Sequence, residues 1–216
     1  MFKLAITFIT AYLLGSIPFG LVIVKFINGL DVRKIASGRT GGTNAMRAAG
    51  LLAGFLTAIL DVLKGVAAPW LAKNVLPSYP WAAAVAGLLT ILGHNYSIFL
   101  IERTEAGKIF LRGGAGGATT LGTSIGLWSE SWIIILPVAI IIYVVIGYAS
   151  VATISIALSS MLIFVFRAVN GYGPWDDILL GAGALAIVLW ALQPNIYRLL
   201  NGNERVVGLR ALIKKH

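Results

Sequence analysis

The sequence predicts an all-α polytopic membrane protein of about seven transmembrane helices, and three observations predict it. Of its 216 residues, 58% are hydrophobic and only 12% charged, against about 45–50% and about 25% in typical soluble proteins. Apolar runs close to the roughly 20 residues that cross a bilayer core recur to the C-terminus. Basic residues cluster between alternate runs, as they do in loops on the inner side of a membrane. The same composition excludes intrinsic disorder and a soluble enzyme. With no cysteine, disulfide scaffolds, zinc thiolates and thiol nucleophiles are excluded too. A net charge of +9 would suggest nucleic acid in a soluble chain, but here it suits anionic headgroups or a phosphorylated substrate and no nucleic-acid partner. One integral-membrane domain over 1–216 is expected.

In order, the expected spans are Phe2 to Ile27, Leu51 to Leu71, Trp81 to Ile101, a short fourth segment Ala115 to Leu127, then Trp132 to Tyr148, Val151 to Phe166 and Ile178 to Leu200. Lys3 ahead of an apolar run resembles a signal peptide, but the recurrence of such runs makes it a first span. The fourth segment, some 13 residues, falls short of a full span and reads equally as a short crossing or as a re-entrant piece packed inside protein. Placing segments 28–50, 102–114 and the tail on one side, with Lys25 and Arg198 at the adjoining span ends, collects thirteen of the seventeen Lys and Arg residues there, so that side is expected to be cytoplasmic and the N-terminus outside. The odd number of spans that an outside N-terminus and a cytoplasmic tail require supports keeping the fourth segment as a span. An inverted repeat of the transporter kind is not visible in the sequence.

Three polar stretches fall on that side. The first, Ser37-Gly38-Arg39-Thr40-Gly41-Gly42-Thr43-Asn44-Ala45-Met46-Arg47, alternates glycine with small hydroxyl residues, which exposes backbone N–H groups to an anion; a plain turn between helices would read the same way. The second joins Gly93-His94-Asn95 to Arg112-Gly113-Gly114-Ala115-Gly116-Gly117-Ala118-Thr119-Thr120. So many glycines disfavour a helix interior and fit a loop that approaches a ligand, or else close helix packing. His94 has the chemistry of a general base, although the sequence places no carboxylate beside it and a bond to a carbonyl would also satisfy it. The third stretch is Asn195 to Arg205, where Arg198 and Arg205 can snorkel to headgroups. Asp61 and Lys64 share a helix face and can neutralise each other, or lie beneath a site.

These stretches, in this order, resemble the bacterial membrane glycerol-3-phosphate acyltransferase family that uses acyl phosphate as donor. The resemblance rests on Gly15-Ser16-Ile17-Pro18-Phe19-Gly20, Ser37-Gly38 with Gly41, Thr43-Asn44 and Arg47, Leu60 to Gly65, Gly93-His94-Asn95-Tyr96, Gly113-Gly114 with Gly116, Ala118-Thr119 and Gly122, and Asn195-Ile196, Arg198-Leu199 and Glu204. It spans nearly the whole chain. It implies acyl transfer from acyl phosphate to the sn-1 hydroxyl of glycerol 3-phosphate, giving lysophosphatidic acid, with no acyl-CoA, metal or other cofactor, at the cytoplasmic face of the bacterial inner membrane. It further implies catalytic roles for Ser37, His94 and Asn195. Substrate and phosphate binding would fall to Arg39, Thr43, Asn44, Arg47, Arg112, Gly113, Gly114, Gly116, Gly117, Thr119 and Glu204. A substrate phosphate assisting proton removal would spare His94 an obligatory role.

Three positions depart from the family pattern: Arg39 replaces a usual asparagine, Ala115 a usual lysine and Leu192 a usual histidine. About ten residues, Ile101 to Phe110, are inserted. Arg39, or Lys108 on the insertion, could return the missing charge. A divergent paralogue with another substrate or without catalysis, and a small transporter or phosphate-binding module, remain as alternatives.

Overall fold

The computed structural model describes residues 1–103, 107 and 109–213; Lys108 lies outside them. The expected all-α membrane architecture is present. Five helical segments are long and apolar enough to span on their own: Phe2–Asn28, Gly42–Val75, Trp81–Leu100, Ser129–Ile146 and Ala149–Val169. A sixth qualifies as a pair bent by 64°, Asp177–Ala191 with Gln193–Leu200. The short fourth segment is α5 (Gly117–Leu127), whose 11 residues give only about 16 Å; eight of them are buried, so it is packed inside the protein.

The first span is two helices, α1 (Phe2–Ser16) and α2 (Phe19–Asn28), broken where Pro18 offers no N–H. The second begins earlier than expected. Residues from Gly42 are already helical in α3 (Gly42–Val75), and the chain turns at Ala49 and Gly50, where Gly50 takes φ 84°. About a third of the stretch expected to be loop is therefore a short helix folded back so that Gly42 lies against Gly54 and Ala58. Its brevity and its run of small residues hid it from periodicity. After α4 (Trp81–Asn95) the insertion contributes an antiparallel pair, β1 (Ile101–Arg103) and β2 (Ile109–Leu111), with Ile101 opposite Leu111. Next come α5, α6 (Trp132–Ile141) with a π-helical turn Ile142–Ile146, and α7 (Ala149–Val169). The last expected span splits into α8 (Asp177–Ala191) and α9 (Gln193–Leu200), with Pro194 just inside the second piece. A short α10 (Gly208–Ile213) follows.

The packing is inside-out in residue size. Ala68, Ala72, Ala82, Ala84 and Ala86 are buried, whereas Phe26, Leu51, Trp70 and Phe166 face outward. Lipid tails are as apolar as leucine, so helices gain by close approach of small residues rather than by hiding large ones. The tightest seam joins α3 to α5. A Cβ at Gly122 would sit 2.1 Å from the Val62 carbonyl oxygen, and one at Gly65 would sit 2.5 Å from that of Thr119. Gly122→Val should therefore lower stability by about 3 kcal/mol through overpacking, read as a fall in melting temperature in detergent. Gly41→Ala, with nothing within 4 Å of the new methyl, should leave the melting temperature nearly unchanged.

Candidate active site

The three polar stretches meet at one end of the bundle. The Thr40 amide donates to the Gly113 carbonyl at 3.3 Å, Arg112 donates to the Arg33 carbonyl at 3.2 Å, and Arg205 donates to the Ala36 carbonyl at 2.9 Å. The C-terminal segment is pinned beside them by the Tyr148–Val206 bridge and by the Val207 amide on the Gly147 carbonyl at 2.9 Å.

A cavity of about 700 Å³ opens at this junction. Its polar end carries Ser37, Arg39, Thr43, Arg47, Asn195 and Glu204, with His94 and Asp61 beneath and Gly116 and Gly117 at the start of α5. The other end is an apolar groove between α3 and α6, walled by residues such as Phe55, Ile59, Leu121 and Leu136. The start of α5 is a favourable place for an anion, because the first amides of a helix have no partner within it and the helix dipole is positive there.

Not every expected residue reaches the cavity. Arg112 is held by Glu102, Nε to Oε2 at 2.9 Å, and Gly113, Gly114 and Thr119 also lie off the cavity wall. Gly113 and Gly114 instead lie against His94 and Asn95: the Gly114 amide donates to the His94 carbonyl at 2.9 Å, and the imidazole fills the space where a Gly114 side chain would be. Packing, the alternative weighed for this run, explains those two glycines; Gly116 and Gly117 face the cavity. Asn44 lines it but spends its side chain on the loop. Its Nδ2 donates to the carbonyls of Val32, Ile35 and Arg39, and its Oδ1 accepts the Ser37 amide at 3.3 Å.

Arg39 is the cross-tie. One guanidinium nitrogen donates to the Gly114 carbonyl at 2.8 Å and another to the Ala191 carbonyl, the residues just before Ala115 and Leu192. Burial holds its pKa below the ordinary arginine value, yet arginine stays protonated. No carboxylate pairs with it among the described residues. Asn195 Nδ2 donates to Glu204 Oε1 at 2.9 Å, while Arg198 Nε donates to Glu204 Oε2 at 3.1 Å, so Glu204 orients Asn195 toward the cavity.

The sequence placed no carboxylate near His94, and the fold corrects this. Asp61 Oδ1 lies 3.5 Å from His94 Nδ1 and 2.8 Å from Lys64 Nζ, with all three side chains at most 5% exposed. Lys64 also donates to the Ile17 carbonyl at 2.8 Å, at the α1–α2 break. The only hint in the sequence was that Asp61, Lys64 and His94 are ionisable residues within apolar spans.

The model of the family described as glycerol-3-phosphate acyltransferase matches residues 5–202. Glycerol-3-phosphate acyltransferase 2 of Moorella thermoacetica is 33% identical over 206 residues, covering 94% of this chain and 97% of its own. The glycerol-3-phosphate acyltransferase of Thermotoga petrophila is 33% identical over 207 residues, covering 93% and 95%. The crystal structure of PlsY, an integral membrane glycerol 3-phosphate acyltransferase, in its glycerol 3-phosphate form superposes with a TM-score of 0.81 at 33% identity, covering 97% of this chain and 98% of that one. Its lysophosphatidic acid form gives 0.77 at the same identity.

Asp61→Ala should destabilise the fold by about 3–5 kcal/mol, because it strands Lys64 as a buried unpaired cation. Replacing the pair together, Asp61→Leu with Lys64→Met, should recover most of that loss, and detergent melting curves of the single and double variants compare the two.

Proposed function

This chain belongs to the glycerol-3-phosphate acyltransferase family, and from that premise we propose that it transfers a fatty acyl group from acyl phosphate to the sn-1 hydroxyl of glycerol 3-phosphate at the cytoplasmic face of a bacterial inner membrane. One observation carries the reading: a single cavity joins an arginine-bearing polar end to an apolar groove. A phosphorylated, water-soluble acceptor and a lipid-chain donor can meet there. The concentration of Lys and Arg at that end of the chain's spans supports a cytoplasmic site.

The acyl chain lies in the groove and its carbonyl comes to rest near Ser37 and the start of α5. The acceptor hydroxyl attacks that carbonyl carbon; a new C–O ester bond forms, the C–O bond to phosphate breaks, and its electron pair leaves on phosphate. The hydroxyl proton passes to a substrate phosphate. Ser37 orients substrate rather than becoming acylated. Its Oγ accepts only the Arg39 amide, at 3.4 Å, among the described residues, and no base is placed to activate it. Arg47 and Thr43 hold phosphate, the amides at Gly116 and Gly117 receive the leaving phosphate, and Asn195, steadied by Glu204, sets the acceptor. Arg39 supplies fixed positive charge between the glycine loop and the end of α8. Because acyl phosphate is already a mixed anhydride, positioning and charge stabilisation supply most of what catalysis needs.

Purified protein mixed with acyl phosphate and glycerol 3-phosphate should release phosphate, while acyl-CoA as donor should give no product; release with neither donor would end the reading in favour of a non-catalytic paralogue or carrier. Arg47→Ala should reduce turnover about 1000-fold, the cost of an essential charge contact in the transition state. The assay for Arg39 is a cycle. Arg39→Asn should lower kcat/KM at least about 100-fold, and adding Ala115→Lys should restore most of it; identical single and double variants would show that Arg39 does not replace a lysine at 115.

A further inference from the structure

Resting on the acyl-transfer reading above, we propose that Trp132 is a specificity-determining residue: its indole closes the far end of the apolar groove and sets the longest acyl chain the cavity takes in full. On α6 and its continuation the groove is lined by Trp132, Leu136, Ala139, Ile140, Tyr143 and Val144. These spacings of four, three, one, three and one mark a single helical face, so the groove follows the whole length of α6 and ends at its first residue. Across from it, the α5 wall starts at Gly117, beside the phosphate-binding end, and stops at Ile125.

Two lengths along its walls bracket the depth. From Gly117 to Ile125 is about 12 Å and from Tyr143 to Trp132 about 16 Å, at about 1.5 Å per residue. An all-trans chain advances about 1.2 Å per bond, as an extended peptide does with three bonds in about 3.5 Å. The groove therefore holds about 10 to 14 carbons measured from the acyl carbonyl. At that end Trp128 and Ile125 pack with the groove residues Leu121 and Leu136 and with Ile135 and Ile163 in one cluster, and Trp128 is itself held beneath Arg167, whose guanidinium carbon lies 4.2 Å from the ring centroid. A separate recess lined by Trp128, Ile134, Ile163 and Phe166 adjoins it. Trp132, 49% exposed, is the bulkiest residue lining the groove and stands at its far end.

The test is the chain-length profile of the purified enzyme with acyl phosphates of about 10 to about 18 carbons, at saturating glycerol 3-phosphate. Wild type should fall off steeply past its optimum. Trp132→Ala should raise the ratio of the longest donor's rate to the optimal donor's by about tenfold, while Trp132→Phe should change it little. Leu136→Trp, one helical turn (about 6 Å) nearer the polar end, should shorten the optimum by about five carbons. It carries the test alone if Trp132→Ala fails to fold. A wild-type profile in Leu136→Trp, or in a folded Trp132→Ala, would overturn the proposal and leave Trp132 as an interfacial anchor. If wild type turns over no acyl phosphate of any length, the acyl-transfer reading itself fails and this inference falls with it.

Discussion

Inside a bilayer a backbone carbonyl has no water to turn to, so every break in a helix must be answered by the protein itself. This chain breaks its helices repeatedly at one end, and the answers come from cationic and amide side chains. Lys64 takes the Ile17 carbonyl at the α1–α2 break. Arg39 takes those of Gly114 and Ala191, and Asn44 those of Val32, Ile35 and Arg39. Asn28 takes the Ala48 carbonyl where α3 turns, and Arg205 that of Ala36. The same requirement that allows irregular backbone at membrane depth therefore gathers positive charge around it. A cavity built from such breaks is electropositive by construction, which is what the proposed reaction of two phosphorylated substrates needs.

The charge would be of little use without room for a lipid chain beside it, and the room comes from the opposite kind of packing. Gly65 and Gly122 bring the α3 and α5 backbones into contact, and α5 is mostly buried. With α5 drawn in as a floor, the longer α3, and α6 with its π-helical continuation, stand as walls and leave an apolar slot between them. Close contact on one side of α5 thus creates space on the other. The slot needs no polar lining, and its walls continue outward through exposed apolar residues such as Leu63 and Ile140, so a chain can enter from the bilayer without crossing water.

How much of this could be read in advance follows from the range of each interaction. The spans were legible because hydropathy is a local average. The shortness of α5 was legible because 11 residues cannot reach across. The gathering of the polar stretches at one end followed from the distribution of Lys and Arg. The short helix from Gly42 was not legible, since what holds it is contact with Gly54 and Ala58, on the far side of a turn. The bend after Leu192 had a cue in Pro194, but its 64° angle depends on tertiary packing. The partnership of Asp61 with His94 joins residues thirty-three apart on different helices; the sequence shows each as a suspicious ionisable group and says nothing of their meeting. Arg112 was misplaced for a similar reason, because Glu102, its partner, arrives on the inserted hairpin.

Arg39 and Arg47 line the same cavity but are held differently, and the proposed reaction gives them different tasks. Arg39 is tied by two backbone carbonyls from two elements, so its charge stays fixed while substrates come and go. Among the described residues no hydrogen bond or ion pair ties Arg47, so in the proposed reaction its donors are left for an incoming phosphate. Binding by a mobile side chain costs ordering entropy on each encounter, on the order of 1 kcal/mol for a rotamer-rich side chain. A pre-set charge costs no reorganisation as the reaction proceeds and is most effective where charge develops during it. In the proposed transfer, charge develops as the C–O bond to phosphate breaks. The fixed cation belongs beside the leaving phosphate, next to the glycine loop that Arg39 already holds, and the mobile one beside the acceptor that must arrive from water.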